Sequence, residues 1–332
     1  MSHPLNREGP RLARDRPKSS RLVLTDPNGH TVAAVGTNPH RGVLEVPLLR
    51  VEAQALEGTI AAQLVNLVRE SAGKSDVNVI RVTDQHCGPT LGQALTDDGF
   101  VATDSGWIGI TIRRALRTRE VAEIVARSAS ALGLNPPGDD LWPVLPEIPS
   151  AEQARAIEHK LRPLRLADAE IPTFIVPIKP KYSSDLFGYP SHLFERPHQL
   201  GISMEHVYYR AANGNEQGPA RILWYLSGEK FSEVFACSTL IEAVDAQPKT
   251  LYRRFRRLGV YSYADVAEAA EPTGMARALH VIDTHQFRRP ISGRVLRALY
   301  QEHRQSFSVQ WPTLLQPPLA ADLLMRGYDG DR

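Results

Sequence analysis

The chain has 332 residues, a net charge of +2, 42% hydrophobic and 23% charged residues. That length suits two domains rather than one, and so small a net charge argues for no partner unless the charge is clustered. Two cysteines, Cys87 and Cys237, lie too far apart for a disulfide framework or a zinc spacing and fit a reducing, cytoplasmic setting; no apolar run approaches the roughly 20 residues of a membrane span.

The opening stretch, MSHPLNREGPRLARDRPKSS, is basic and proline-rich without an apolar segment, so residues 1–20 are expected to be a disordered arm and not a secretory signal. RLVLTDPNGHTVAAVG then reads as a hairpin about Asp26-Pro27-Asn28-Gly29. GVLEVPLLRVEAQ is a third strand. Ile60, Leu64, Leu67 and Val68 recur at helical spacing, with Gly73 as the stop. VNVIRVTD reads as a buried strand, TLGQALTDDGF as a short helix closed at Gly99, and GWIGITI as another strand. The order β-β-β-α-β-α-β predicts one mixed sheet with helices packed on it, over residues 21–116.

Residues 117–170 carry a helix expected to start at Thr118 and stop at Gly133, and then a proline-rich linker with Trp142 as its anchor. A short helix capped by Ser150 closes the segment. From Ile171 the pattern turns to β. IPTFIVPIKP, ISMEHVYYR, ARILWYLSG and EVFACSTLIEAV are strand-like, PKTLYRRFRRLG is a helix, and ARALHVIDTHQFRRPIS is a last strand. This second domain spans residues 171–300, and residues 301–332 read as a loosely attached tail.

The helix PKTLYRRFRRLG is the strongest chemical signal. At 100° per residue Leu251, Phe255 and Leu258 fall within about 60° of one another, which makes a buried stripe. Arg253 and Arg257 sit opposite it, flanked by Arg254 and Arg256. No carboxylate lies between Lys249 and Tyr263. Residues 171–310 hold 17 Lys and Arg against 13 Asp and Glu, so this one helix supplies the whole excess. Repeated phosphate contact needs such a block, whereas the helix macrodipole accounts only for Arg256 and Arg257. Tyr208, Tyr209, Trp224 and Tyr225 lie in adjacent pairs on strands, so one of each pair is expected to face outward, where it can stack on a base. His192, His198, His206, His280 and His285 match no metal spacing, and no metal site is expected.

Two family resemblances add to this reading. The stretch VIRVTDQHCGPTLGQALTDDGFVATDSGWIGITI, within the order hairpin, strand, helix, strand, helix, Gly-Phe, strand, resembles the GNAT-type N-acetyltransferases. The resemblance implies that the strand Val79–Asp84 parts from its neighbour to open an acyl-CoA slot. It also implies that acetyl-CoA pyrophosphate sits on backbone amides at Gly58, Thr59 and Ala61. The chain departs from the family's Arg/Gln-x-x-Gly-x-Gly/Ala loop at Leu56 and Thr59 and adds Glu57. It also lacks a tyrosine before Gly99-Phe100 and the family's first strand and next two helices, so no catalytic residue is assigned. IKPKYSSDLF, ISMEHVYYR, ARILWYLSG and EVFACSTLIEAVDAQPKTLYRRF resemble the ASCH group of the PUA-like superfamily, small pseudo-barrels associated with RNA or modified-base recognition. By that resemblance Lys179, Lys181, Tyr182, Glu205, Arg210, Tyr225 and Ser227 line a cleft; the insert Gly188–Gly201 departs from the pattern.

The expected fold is α+β, a mixed-sheet GNAT-like domain followed by a PUA/ASCH-like β-barrel. The leading functional expectation is an RNA or modified-nucleotide binder, with Arg253, Arg254 and Arg257 on phosphates and the Lys179–Tyr182 and Tyr225–Ser227 strands on a base. An active acetyl-CoA-dependent N-acetyltransferase targeted by its second domain is the alternative from an enzyme class. A regulatory or toxin–antitoxin-type interaction module is the third.

Overall fold

The structure is a computed structural model and describes residues 19–26, 28–52, 56–132, 145–189, 204–228 and 231–329. Residues 1–18 of the expected arm, Trp142 and Gly133 lie outside the described residues, while Ser20, read as the end of the arm, starts the first strand.

Asp26 organises the first hairpin. Its carboxylate accepts the N–H groups of Asn28 and His30, both at 2.9 Å, and Gly29 supplies the positive φ of 85° that the turn requires. The hairpin joins β1 (Ser20–Thr25) to β2 (Thr31–His40). β3 (Val43–Val51) follows antiparallel, then α1 (Glu57–Lys74) crosses to β4 (Val79–Val82), parallel to β3. α2 (Pro89–Asp97), β5 (Val101–Thr103) and β6 (Gly106–Ile110) complete a sheet of order β1-β2-β3-β4-β6-β5. The expected order is thus observed, with the short edge strand β5 as an addition. α1 buries Ile60, Ala61, Leu64, Val65, Val68 and Ala72 against it, a stripe at helical spacing.

Two helices follow, α3 (Thr118–Ala131) and α4 (Ala151–Lys160). Ser150 caps α4 as expected, accepting from Gln153 N–H at 3.2 Å while Gln153 Oε1 accepts from Ser150 N–H at 2.9 Å. Thr118 is not the N-cap of α3 but its first residue, because the distant Asp168 carboxylate accepts both its N–H and its hydroxyl. β7 (Ala115–Leu116) and β8 (Arg165–Leu166) pair in parallel and bring the two ends of this connection together.

The second sheet has the order β10-β13-β12-β11-β9-β14, with β9 (Thr173–Ile178), β10 (Glu205–Ala211), β11 (Ala220–Gly228), β12 (Phe231–Ala246), β13 (Ala276–Ser292) and β14 (Thr313–Leu314). Only β9 and β11 are parallel. Among the described residues the edge strands β10 and β14 do not pair, so the sheet is open and the expected β-barrel is corrected. Helices bury its faces instead of closure. Trp224 and Leu226 pack under α5 (Pro180–Phe187), α6 (Pro248–Phe255) and α7 (Tyr263–Ala270). Leu223, Tyr225 and Cys237 pack on the other face, under α8 (Gly293–Glu302) and α9 (Pro317–Asp329). The segment read as a loose tail is therefore part of the core: Leu319, Leu323, Leu324 and Tyr328 on α9 are all buried.

A buried charge network ties the two sheets together. Arg69 on α1 pairs with Asp98, whose other oxygen takes Arg162. Arg162 reaches Asp283 on β13 at 3.3 Å, and His159 on α4 reaches the same carboxylate at 3.2 Å. Arg165, wholly buried, donates to the Asp283 carbonyl at 3.0 Å. Glu158 pairs with Arg221 and accepts the Leu166 N–H at 2.7 Å. Burial works against the Asp283 carboxylate, but His159 and Arg162 outweigh it and hold its pKa far below the ordinary value.

Candidate nucleic-acid interface

α6 forms because Pro248 fits the first turn and Leu251 and Phe255 share its buried face. It ends at Phe255, so Arg256 and Arg257 fall in the turn that follows and not on the helix as expected. Lys249, Arg253, Arg256 and Arg257 are all exposed, and no described carboxylate pairs with any of them. Arg254 differs. It donates to Glu242 on β12 at 2.6 Å and lies over the Phe255 ring at 4.6 Å. Glu242 also faces His280 Nδ1 at 3.4 Å, and His280 Nε2 meets Glu205 at 3.0 Å. The hydrogen bond with Glu205 raises His280 above the ordinary imidazole value and lowers Glu205 below that of a free carboxylate. Glu242 lies seven residues before Lys249, on a different element, so a reading confined to the helix misses it.

The residues carried over from the ASCH resemblance lie on α5, β10 and β11. Lys179 and its neighbours form no strand: Lys179 is the exposed N-cap of α5, with Pro180 at the first helical position. Lys181 sits 3.6 Å from Asp265 on α7. The Tyr182 ring stacks on Tyr261 at a centroid distance of 4.4 Å, and its hydroxyl donates to Asp265 at 3.4 Å. Glu205 and Arg210 stand near opposite ends of β10. Arg210 pairs at 2.8 Å with the buried Glu216, which also takes Arg277 at 2.8 Å. Ser227 donates to the Ile178 carbonyl at 3.4 Å. Tyr225 is buried, its hydroxyl 2.7 Å from Ser232 Oγ.

The outward aromatics are a correction. Tyr208, Tyr209, Trp224 and Tyr225 are all at most 9% exposed, because helices cover both faces of β11 and both tyrosines of β10 pack against Tyr261 in the same core. Burial pushes the Tyr208 hydroxyl up to about 12, and Trp224 Nε1 donates to Ser238 Oγ at 2.7 Å. None of these rings is open to a base.

In the first sheet, β3 and β4 pair only to Val46 and Val82 and then part. The Asp84 carboxylate spans the gap, accepting Leu49 N–H at 3.0 Å, Arg50 Nε at 3.1 Å and His86 N–H at 3.0 Å. Burial raises this carboxyl, but the three donors outweigh it and leave its pKa below the ordinary value. Gly58 and Thr59 are exposed in the first turn of α1, and Ile60 N–H is already bonded to Leu56 at 3.0 Å. Ala61 is fully buried in the sheet-facing stripe and offers no open amide.

No family model matches the sequence, and no curated protein matches it. Among solved structures the chain is similar to ASCH from Zymomonas mobilis, at 18% identity and a TM-score of 0.36, covering 46% of this chain and 92% of that one. It is similar to an aminoglycoside 6'-acetyltransferase type Ii, at 20% identity and a TM-score of 0.22, covering 27% of this chain and 63% of that one. Human THYN1, in a structure with 5-methylcytosine-containing DNA, matches at 12% identity and a TM-score of 0.27 over 46% of this chain and 95% of that one. The chain is thus distantly similar in structure to ASCH proteins over 46% of its length and to acetyltransferases over 27%.

Proposed function

We propose that this chain binds nucleic acid through the phosphate backbone, with Lys249, Arg253, Arg256 and Arg257 as the contact group. One observation carries the reading. These cations cluster on and just beyond one short helix, exposed and without a described carboxylate partner, while Arg254 between them is paired. Phosphate neutralisation by such a group releases counterions, so affinity falls steeply with salt. Lys179 and Lys181 are secondary candidates. The test is fluorescence anisotropy of labelled single-stranded RNA and of duplex DNA, with and without 5-methylcytosine, across a salt series. Arg253→Ala with Arg256→Ala and Arg257→Ala is expected to weaken binding about tenfold or more and to flatten the salt slope by about two to three. An unchanged slope removes the assignment.

A second reading, acetyl-CoA binding, is favoured by the parting of β3 from β4 beside the first turn of α1. Asp84 in the gap and Glu57 in that turn oppose an anionic cofactor. Acetyl-CoA that raises the melting temperature supports it.

A further inference from the structure

Between the two sheets lies a cleft of about 460 Å³, outside the α6 face. One wall is the stripe of α1 that carries the half-buried Gln63 and Asn66 and the exposed Glu70 and Lys74, and the other is the stretch Thr284–Gln286 of β13, with Phe187 beside it. This stretch of β13 lies beyond the end of its pairing with β10, which stops at Ile282. The volume suits a metabolite-sized ligand.

Two side chains lining the cleft have chemistry left unused. His285 Nε2 is buried and has no hydrogen-bond partner. Arg113 is half-buried and makes no hydrogen bond or ion pair with a described residue. Its side chain lies along α1, so that a Cβ at Gly73 would come within 3.1 Å of Arg113 Cδ. Every other buried arginine of this region (Arg69, Arg162, Arg165, Arg221) has a carboxylate partner. A buried, unsatisfied imidazole nitrogen costs about 1–3 kcal/mol, and Arg113 lines the same cleft; the two carboxylates there are engaged elsewhere, Asp283 by His159 and Arg162 and Glu70 by the Asn66 amide at 3.3 Å. Burial first, and then the Arg165 charge, hold the His285 pKa well below the ordinary value, so the ring is neutral and one nitrogen is free to donate.

We propose that this cleft binds a small organic anion, its carboxylate or phosphate bridging Arg113 and His285 and its body lying between Phe187 and the amides of Gln63 and Asn66. Such a ligand touches α1 and β13 at once and so holds the two sheets together. The site does not depend on the α6 face, and failure of either leaves the other standing.

The test is thermal unfolding and titration calorimetry of the full chain against adenosine monophosphate, inorganic phosphate and citrate at low salt. A phosphomonoester or a polycarboxylate is expected to raise the melting temperature by several degrees at millimolar concentration, and the better of the two identifies the anion class. Arg113→Gln is expected to weaken that binding about tenfold or more while leaving the ligand-free melting temperature unchanged. Gly73→Ala removes a helix-interior glycine, which favours the fold, yet displaces Arg113 and is expected to weaken binding severalfold. If none of the three anions shifts the melting temperature, or if both variants bind as the unaltered chain does, the proposal is overturned. Retained nucleic-acid affinity in Arg113→Gln keeps the two sites distinct.

Discussion

The molecule handles arginine in two opposite ways. Between the sheets, Arg69, Arg162, Arg165 and Arg221 are at most 7% exposed at their side chains, and each meets Asp98, Asp283 or Glu158. At α6 the cations point into solvent, and among the described residues only Arg254 finds a carboxylate. Buried charge has to be paired, because desolvating an ion costs several kcal/mol that only a partner offsets. Exposed charge carries no such obligation and is available to a polyanion. The comparison separates arginines that build the structure from arginines that can act on something outside it.

Breaking the buried side should have the largest effect. Asp98→Ala leaves Arg69 and Arg162 facing each other without their shared carboxylate and is expected to cost about 3–5 kcal/mol. A urea titration should show the midpoint falling sharply, and a loss below about 1 kcal/mol would mean that the two guanidiniums find other partners. On the exposed side, the Arg253, Arg256 and Arg257 triple alanine variant should leave the same urea midpoint within about 0.5 kcal/mol. Its effect belongs to nucleic-acid affinity and the salt slope. If it destabilises the fold as Asp98→Ala does, the distinction between the two groups collapses.

That distinction was only half legible in the sequence. The first sheet could be read because its signals are local: Asp26 and Gly29 make a turn within four residues, and α1 shows its buried stripe in its own spacing. The block around Arg253 was visible for the same reason. What decided the state of each arginine was not local. Asp98 meets Arg69 from 29 residues away and Asp283 meets Arg162 from far across the chain, and no periodicity announces such a pairing. The closed barrel failed on similar grounds. Strand patterning cannot show that α9 covers one face of the second sheet, although Leu319, Leu323 and Leu324 already stood at helical spacing. One of Tyr208 and Tyr209, and one of Trp224 and Tyr225, was expected outward by strand alternation, which holds only where one face is left to water.

The network between the sheets should also give stability a dependence on pH from both sides. His159 bonds Asp283 and the Asp97 carbonyl, at 3.2 Å and 3.0 Å, and its pKa is raised, first through the bond to Asp283. Its contribution is fully present below the unfolded imidazole value near 6.5 and is lost as pH rises through the higher folded value. Asp283 has the opposite sign. Its folded pKa is depressed, so its contribution is present above the ordinary carboxylate value near 3.9 and is lost as pH falls below it. Urea midpoints measured from pH 3 to 9 should rise, level off and then decline above neutrality. His280, raised by Glu205, adds to the same decline, so His159→Gln should shrink the decline and His159→Gln with His280→Gln should remove it. A decline that survives the double substitution places its cause in another group.

The smallest effect tests the one residue that stands between the two classes. Arg254 belongs to the α6 block by sequence, yet Glu242 holds it at 2.6 Å and also faces His280. Both members of the pair are substantially exposed, so the bond is worth only about 0–1 kcal/mol, and Glu242→Gln should barely move the urea midpoint. It removes a negative charge beside the cationic face and frees a fifth cation for phosphate. Nucleic-acid affinity should therefore rise, by about two- to fivefold at low salt, with a slope steeper by up to about one. The gain should shrink as salt is added, since both the lost repulsion and the new contact are screened. Arg254→Ala separates the two causes. In that background Glu242→Gln can relieve repulsion but cannot liberate a guanidinium, so any remaining gain measures the field of the carboxylate alone, and a fall in affinity on Glu242→Gln would place the bound phosphate away from α6.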